Sequence, residues 1–153
     1  MNRVWTYIIP RNLTSAELAS LQQKGEEFVK GWTAHENRLS ASFELVQNRI
    51  VLVKVNEDVH GASGCSIDKL TRFIKDAGKE LGTDLLDRMQ VAYENKPGAV
   101  EVSSAKDIPY LLQSGKISGD TPVYNTSVAT EAEMRNWKQP LKNTWLKKYL
   151  QSA

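Results

Sequence analysis

Residues 40–55 constrain the fold more than any other stretch of the chain. Ala41, Phe43 and Leu45 alternate with Ser40, Ser42 and Glu44, the period of a strand buried on one face. Gln47-Asn48-Arg49 supplies a turn, and Ile50 to Val55 is a second, more apolar strand. Two such strands so close in sequence form a hairpin. If Val46 lies opposite Arg49, the register carries His35 opposite His60. If a three-residue turn sets Val46 opposite Ile50, Phe43 meets Val53, Leu45 meets Val51, and His60 lies opposite Glu36.

Helical signals flank this hairpin. Thr14-Ser15-Ala16-Glu17 is a capping box, in which Thr14 accepts from a first-turn amide while Glu17 reaches back. Leu18, Leu21, Phe28, Val29 and Trp32 then recur at helical spacing, which predicts a helix of about five turns. Ser66 is expected to cap a second helix that carries Ile67, Leu70, Ile74, Ala77 and Leu81 on one face and stops at Gly82. Val4 to Ile9 reads as a strand ended by Pro10, and Met89, Val91 and Tyr93 as another. The order over residues 4–94 is βαββαβ, so the expected fold is α+β: a ferredoxin-like antiparallel sandwich with both helices on one face of the sheet.

Asn95-Lys96-Pro97-Gly98 is the strongest turn and the expected boundary. Residues 1–95 would form the βαββαβ core, and 96–153 a C-terminal α/β extension packed on it as one structural unit. In the extension the sequence predicts a strand at Ala99–Val102 and a helix from Ser104 to Gln113 in which Pro109 sits awkwardly. A further strand is expected between Pro122 and Val128. A capping box at Thr130 and Glu133 opens a last helical stretch that Pro140 breaks.

Composition narrows the function classes. The 153 residues carry 20 Lys and Arg against 18 Asp and Glu, a net charge of +2, so neither nucleic acid nor a membrane surface is an expected partner. The tail beyond Met134 interleaves five cations with Trp137, Trp145 and Tyr149, but a helix laid on the domain accounts for that pattern more simply than base stacking. No run approaches the roughly 20 apolar residues of a spanning helix, and the N-terminus does not read as a signal peptide. One Cys excludes an internal disulfide and fits a reducing compartment, so a cytoplasmic protein is expected. No G-x-x-x-x-G-K-[ST] occurs, so P-loop nucleotide hydrolysis has no support and no cofactor is expected.

Either hairpin register would bring Trp32–Glu36 against Glu57–Cys65, so that both histidines and the lone thiol share one rim. Three readings of that rim follow. Cys65, at the start of the second helix, could be a nucleophile with His35 or His60 as base and Asp58, Glu36 or Asp68 as orienter. Cys65, His35, His60 and a carboxylate could form a zinc set, although the spacing matches no structural zinc motif and no metal is expected. Gly61, Ser63, Gly64 and Ser66, with Trp32 beside them, could bind an anionic ligand at the helix N-terminus. Against each stands a simpler reading: a small buried Cys packing a helix start, and glycines that merely permit a turn before a serine cap. The expected function is therefore non-enzymatic binding of a small ligand or partner protein at the His35/His60/Cys65 rim, with a cysteine-nucleophile enzyme as the alternative.

Val4-Trp5-Thr6-Tyr7, Trp32-Thr33-Ala34-His35, Ala41-Ser42-Phe43-Glu44, Ser63-Gly64-Cys65-Ser66-Ile67-Asp68, Leu86-Asp87-Arg88-Met89, Pro122-Val123-Tyr124-Asn125 and Asn143-Thr144-Trp145 span nearly the whole chain. Together they give a sequence that resembles a family of small proteins from Bacteroidetes, the Ser-Gly-Cys-Ser-Ile-Asp block being the most distinctive part. Some members of that family bear the label "ABC transporter ATPase", which the missing phosphate-binding loop contradicts here. This chain has Leu146 where similar proteins have a His after the late Trp, so that His is not a required catalytic group. The resemblance implies one unit over residues 1–150 and supplies no mechanism.

Overall fold

A computed structural model describes residues 1–152, with side chains to residue 150; the final residue of the expected extension, 153, lies outside it. The chain begins with strand β1 (Asn2–Ile8) and helix α1 (Ser15–Lys30), then a miniature hairpin of β2 (Thr33–Ala34) and β3 (Asn37–Arg38). Strands β4 (Ala41–Val46) and β5 (Ile50–Asn56) and helix α2 (Gly64–Leu81) follow. Next come β6 (Gln90–Lys96), β7 (Ala99–Ser104), a 3₁₀ turn at Ala105–Asp107 and α3 (Ile108–Gln113). The chain ends with β8 (Pro122–Tyr124), α4 (Glu131–Met134), β9 (Lys138–Pro140) and 3₁₀ segments at Leu141–Asn143 and Trp145–Ser152. The protein is thus α+β, and among the described residues no helix is long and apolar enough to cross a membrane.

The capping box of α1 forms as read: Thr14 Oγ1 accepts from the Glu17 amide (3.1 Å) and Glu17 Oε1 from the Thr14 amide (2.9 Å). Helix α2 begins earlier than read. Its cap is Ser63, whose Oγ accepts from the Ser66 amide (3.1 Å), while Ser66 Oγ accepts from the Ser63 amide (2.7 Å). Serine can fill the third helical position of such a box because its hydroxyl also accepts from the cap's amide. At its far end α2 stops at Gly82, in the left-handed region with φ 66°.

Sheet 1 has the antiparallel order β1-β5-β4. Phe43 lies opposite Val53 and Val46 opposite Ile50, the three-residue-turn register, with Gln47 and Asn48 at positive φ. A ferredoxin-like sheet would add β6 along the free edge of β1. It does not. Strand β6 enters a second sheet of order β7-β6-β8-β9. The tight turn at Asn95–Gly98, with Gly98 at φ 77°, closes a β6–β7 hairpin, and this local pairing involves little loop-closure entropy. The segment after β8 occupies part of the vacated edge: the Val4 amide donates to Ala129 O (2.9 Å) and Thr6 Oγ1 to Thr126 O (3.1 Å).

The layers run helices, sheet 1, sheet 2, and a cover of α3 with the C-terminal 3₁₀ segments. Tyr7, Val51, Val53 and Val55 meet Leu21, Val29, Leu70 and Ile74 of the helices. Ile8 and Ile50, on the opposite face, meet Ala92 and Tyr124 of sheet 2. The outer face of sheet 2 packs Val91, Tyr93 and Val123 on Ile108, Leu111, Leu141 and Leu146. A strand buried on both faces has no polar face to present, which is why Ile50–Val53 is apolar without alternation. Three details of the C-terminal part differ from expectation. The helix expected from Ser104 splits at Asp107, which lets Pro109 sit in the first turn of α3, where its missing amide costs nothing. The strand expected to reach Val128 ends at Tyr124, because the segment beyond it turns to β1. The last helix ends at Met134, after which β9 pairs with β8 and brings Pro140 opposite Pro122.

Burial has a measurable pH consequence. Tyr7 is 3% exposed, and desolvation pushes its phenol up to about 12, partly offset by the Arg88 guanidinium. The folded state therefore holds the proton more tightly than the unfolded chain. That stabilisation is complete below about pH 10 and lost as pH rises towards 12. Burial also raises Tyr124, in the same sense. Alkaline denaturation followed by circular dichroism should show stability falling across this window, with a shallower fall in Tyr7→Phe; an identical slope would contradict the assignment.

Candidate functional site

The structure assembles the expected rim only in part. The chain bends away at Leu39, whose amide donates to Trp32 O (3.0 Å) and whose side chain is buried. Residues 33–38 therefore close on themselves, with Thr33 opposite Arg38 and Ala34 opposite Asn37. His35 and Glu36 form the tip of this hairpin at φ 51° and 67°, exposed to solvent. His60 and Asp58 are engaged elsewhere. His60 Nδ1–H donates to Gly61 O (2.9 Å). Asp58 pairs with the N-terminal ammonium (2.6 Å) rather than with an imidazole.

Trp32 is 2% exposed, its indole Nε1–H donating to Ser66 O (2.8 Å), so its ring faces the core. Ser63 and Ser66 are spent on the α2 cap. Neither Gly61 nor Gly64 adopts positive φ. Cys65 is exposed in the first turn of α2 and not, as the simpler reading had it, buried.

Among the described residues no hydrogen bond joins Cys65 to His35 or His60, and no group of three or more His, Cys, Asp or Glu is placed to hold a metal ion. Cys65 should thus behave as an unassisted surface thiol. Iodoacetamide should modify it in the folded protein, and His35→Ala or His60→Ala should leave the rate within about twofold, since nucleophile activation needs a base in hydrogen-bond reach. A tenfold fall in either variant would restore the catalytic pair.

A wide recess lies elsewhere. A cleft of about 900 Å³ opens where β6 leaves the edge of β1. Its walls are residues 3–6 of β1, 88–91 leading into β6, 123–129 after β8, and Gln139 with 143–145. A smaller depression of about 370 Å³ lies beside the β2–β3 hairpin, over Val29, Leu39 and Val59. His35, His60 and Cys65 line neither recess.

The cleft is electrostatically one-sided. Arg3 and Arg88 line it, no carboxylate does, and among the described residues neither arginine is in an ion pair. The guanidinium of Arg3 lies 4.9 Å from the Trp5 ring centroid. That of Arg88 lies 5.0 Å from the Tyr7 ring and donates from Nη1 to Thr6 O (2.6 Å). Aromatic contacts hold both groups in place and leave further N–H donors free. Asp87, next to Arg88 in the chain, is turned away: its carboxylate accepts from the Gln90 side chain (3.0 Å) and the Met89 amide (2.9 Å), which hold it below its ordinary range. Tyr124, also in the lining, donates from its hydroxyl to Glu94 (2.7 Å), which Lys138 also engages (2.8 Å).

Sequence reasoning missed these residues. The sequence predicts Met89 in a strand and Trp145 in a helix laid on the domain, yet the two are 53% and 52% exposed at the cleft. No local signal could have joined them, because the lining comes from distant segments that meet only when β6 changes sheets. No family model, curated protein or solved structure matches the chain, so what it does must be argued from its own residues.

Proposed function

We propose that the protein is a binding protein rather than an enzyme, and that it holds a small ligand in the cleft beside the edge of β1. One observation carries this reading: the cleft combines a volume in the range of small-molecule sites with two arginines that, among the described residues, lack acidic partners. Its other polar side chains are amides and hydroxyls, among them those of Asn125, Thr126, Ser127, Asn143 and Thr144, which orient a ligand. A reducing, cytoplasmic setting suits the single exposed thiol. The resemblance to small Bacteroidetes proteins adds no activity to this reading.

The second reading places a ligand, a partner protein or thiol chemistry at the rim of His35, His60 and Cys65, and the exposure of Cys65 favours it. Amide chemical-shift mapping with a set of small compounds of positive, neutral and negative charge separates the two. Perturbations should cluster at residues 3–6, 88–91 and 123–129. A cluster at 57–66 would move the function to the rim, and no perturbation at either place would overturn the proposal.

A further inference from the structure

We infer that the ligand of the cleft is a flat aromatic molecule bearing a carboxylate or a phosphate, an inference that rests on the cleft being the binding site. The anionic group follows from charge. A guanidinium presents a planar fork of donors that matches both head groups. Arg3 and Arg88 are the charged residues of the lining, and a cation entering there would find no carboxylate to pair with. The ring follows from the lips of the cleft. The large hydrophobic side chains most exposed on the molecule are Met1, Val59, Met89, Tyr110 and Trp145. Two of these, Met89 and Trp145, line this one recess. Leaving a tryptophan and a methionine half in water forgoes hydrophobic stabilisation that a covering ring restores. Indole accepts a stacked or edge-on ring, and the flexible thioether adapts to its outline. Val91, Val123 and Val128 continue the apolar wall inward. A volume of about 900 Å³ admits a molecule the size of a mononucleotide or an aryl carboxylate.

The test is titration of the whole protein, followed by amide shifts, with four probes: 2-naphthoate, AMP, adenosine and inorganic phosphate. The expected result is that 2-naphthoate or AMP binds at the cleft at least about tenfold more tightly than either adenosine or phosphate, because ring and charge must act together. Whichever of the two binds identifies the head group. Arg3→Gln with Arg88→Gln should weaken that binding by about tenfold or more. Because Arg88 also supports β1 through Thr6 O, Arg3→Gln alone and Trp145→Ala serve as independent variants, each expected to weaken binding about fivefold. Adenosine binding as tightly as AMP, phosphate binding as tightly as either, unaltered affinity in both single variants, or no binding of either aromatic anion would overturn the inference. If the broader compound set still marks the cleft, only the ligand class falls; if nothing marks it, the site falls too.

Discussion

Trp32→Ala should lower the unfolding free energy by about 4 kcal/mol, the range for emptying a buried aromatic site. The residue is 2% exposed and stands at the centre of an aromatic cluster, 6.0 Å from Trp5 and 5.3 Å from Phe28 by ring centroid. Phe28 in turn stacks on Phe73 of α2 at 4.6 Å. Removing the indole leaves a cavity where the β2–β3 hairpin, β1, α1 and α2 meet. It also removes the indole's hydrogen bond to Ser66 O in the first turn of α2, an added cost of order 1 kcal/mol. Trp32→Phe keeps most of the volume and loses the hydrogen bond, so it should cost roughly half as much. Urea unfolding of the three proteins measures all of this. Equal stability of Trp32→Ala and the parent would mean that the side chain is a surface group available to a ligand.

Gly25→Ala should destabilise the protein by about 2 kcal/mol, although alanine is the better helix former by about 1 kcal/mol. Gly25 lies in the middle of α1, buried, where a helix would ordinarily prefer any residue with a side chain. A methyl group built there would clash with the Phe43 ring, at its Cγ, Cδ1 and Cε1 atoms. Phe43 is 5% exposed and packed edge-on to Phe73, so the ring has little room to withdraw. The steric term should therefore outweigh the helix propensity. A thermal midpoint raised by the substitution would show that α1 can slide on β4 at small cost.

How far the chain could be read follows from which contacts are local. Thr14 and Glu17 are three residues apart, so the start of α1 was visible in a four-residue window and formed as read. The β4–β5 hairpin is visible because its turn, the alternation of β4 and the apolar run of β5 lie within residues 41–56. Ser63 was passed over as the cap of α2 because the box there is closed by Ser66 instead of the usual Glu or Gln. The rim was read by extending the hairpin in a straight line. Burial of Leu39 and a separate turn at His35-Glu36 bent the chain away, and that depends on the surface against which Leu39 packs.

Periodicity, capping and turn residues determined the two long helices, the central hairpin and the α+β class, since each is decided within a few residues along the chain. The partner of β6 was decided only in three dimensions. With one edge of β6 taken by β7, the edge of β1 and strand β8 both offered hydrogen bonds to the other, and the choice turned on which apolar faces could be covered at once: Ala92 against Ile8 and Ile50, and Tyr93 under the C-terminal cover. That choice opened the cleft and gathered Arg3, Arg88, Met89 and Trp145 around it, an arrangement no short window of sequence contains.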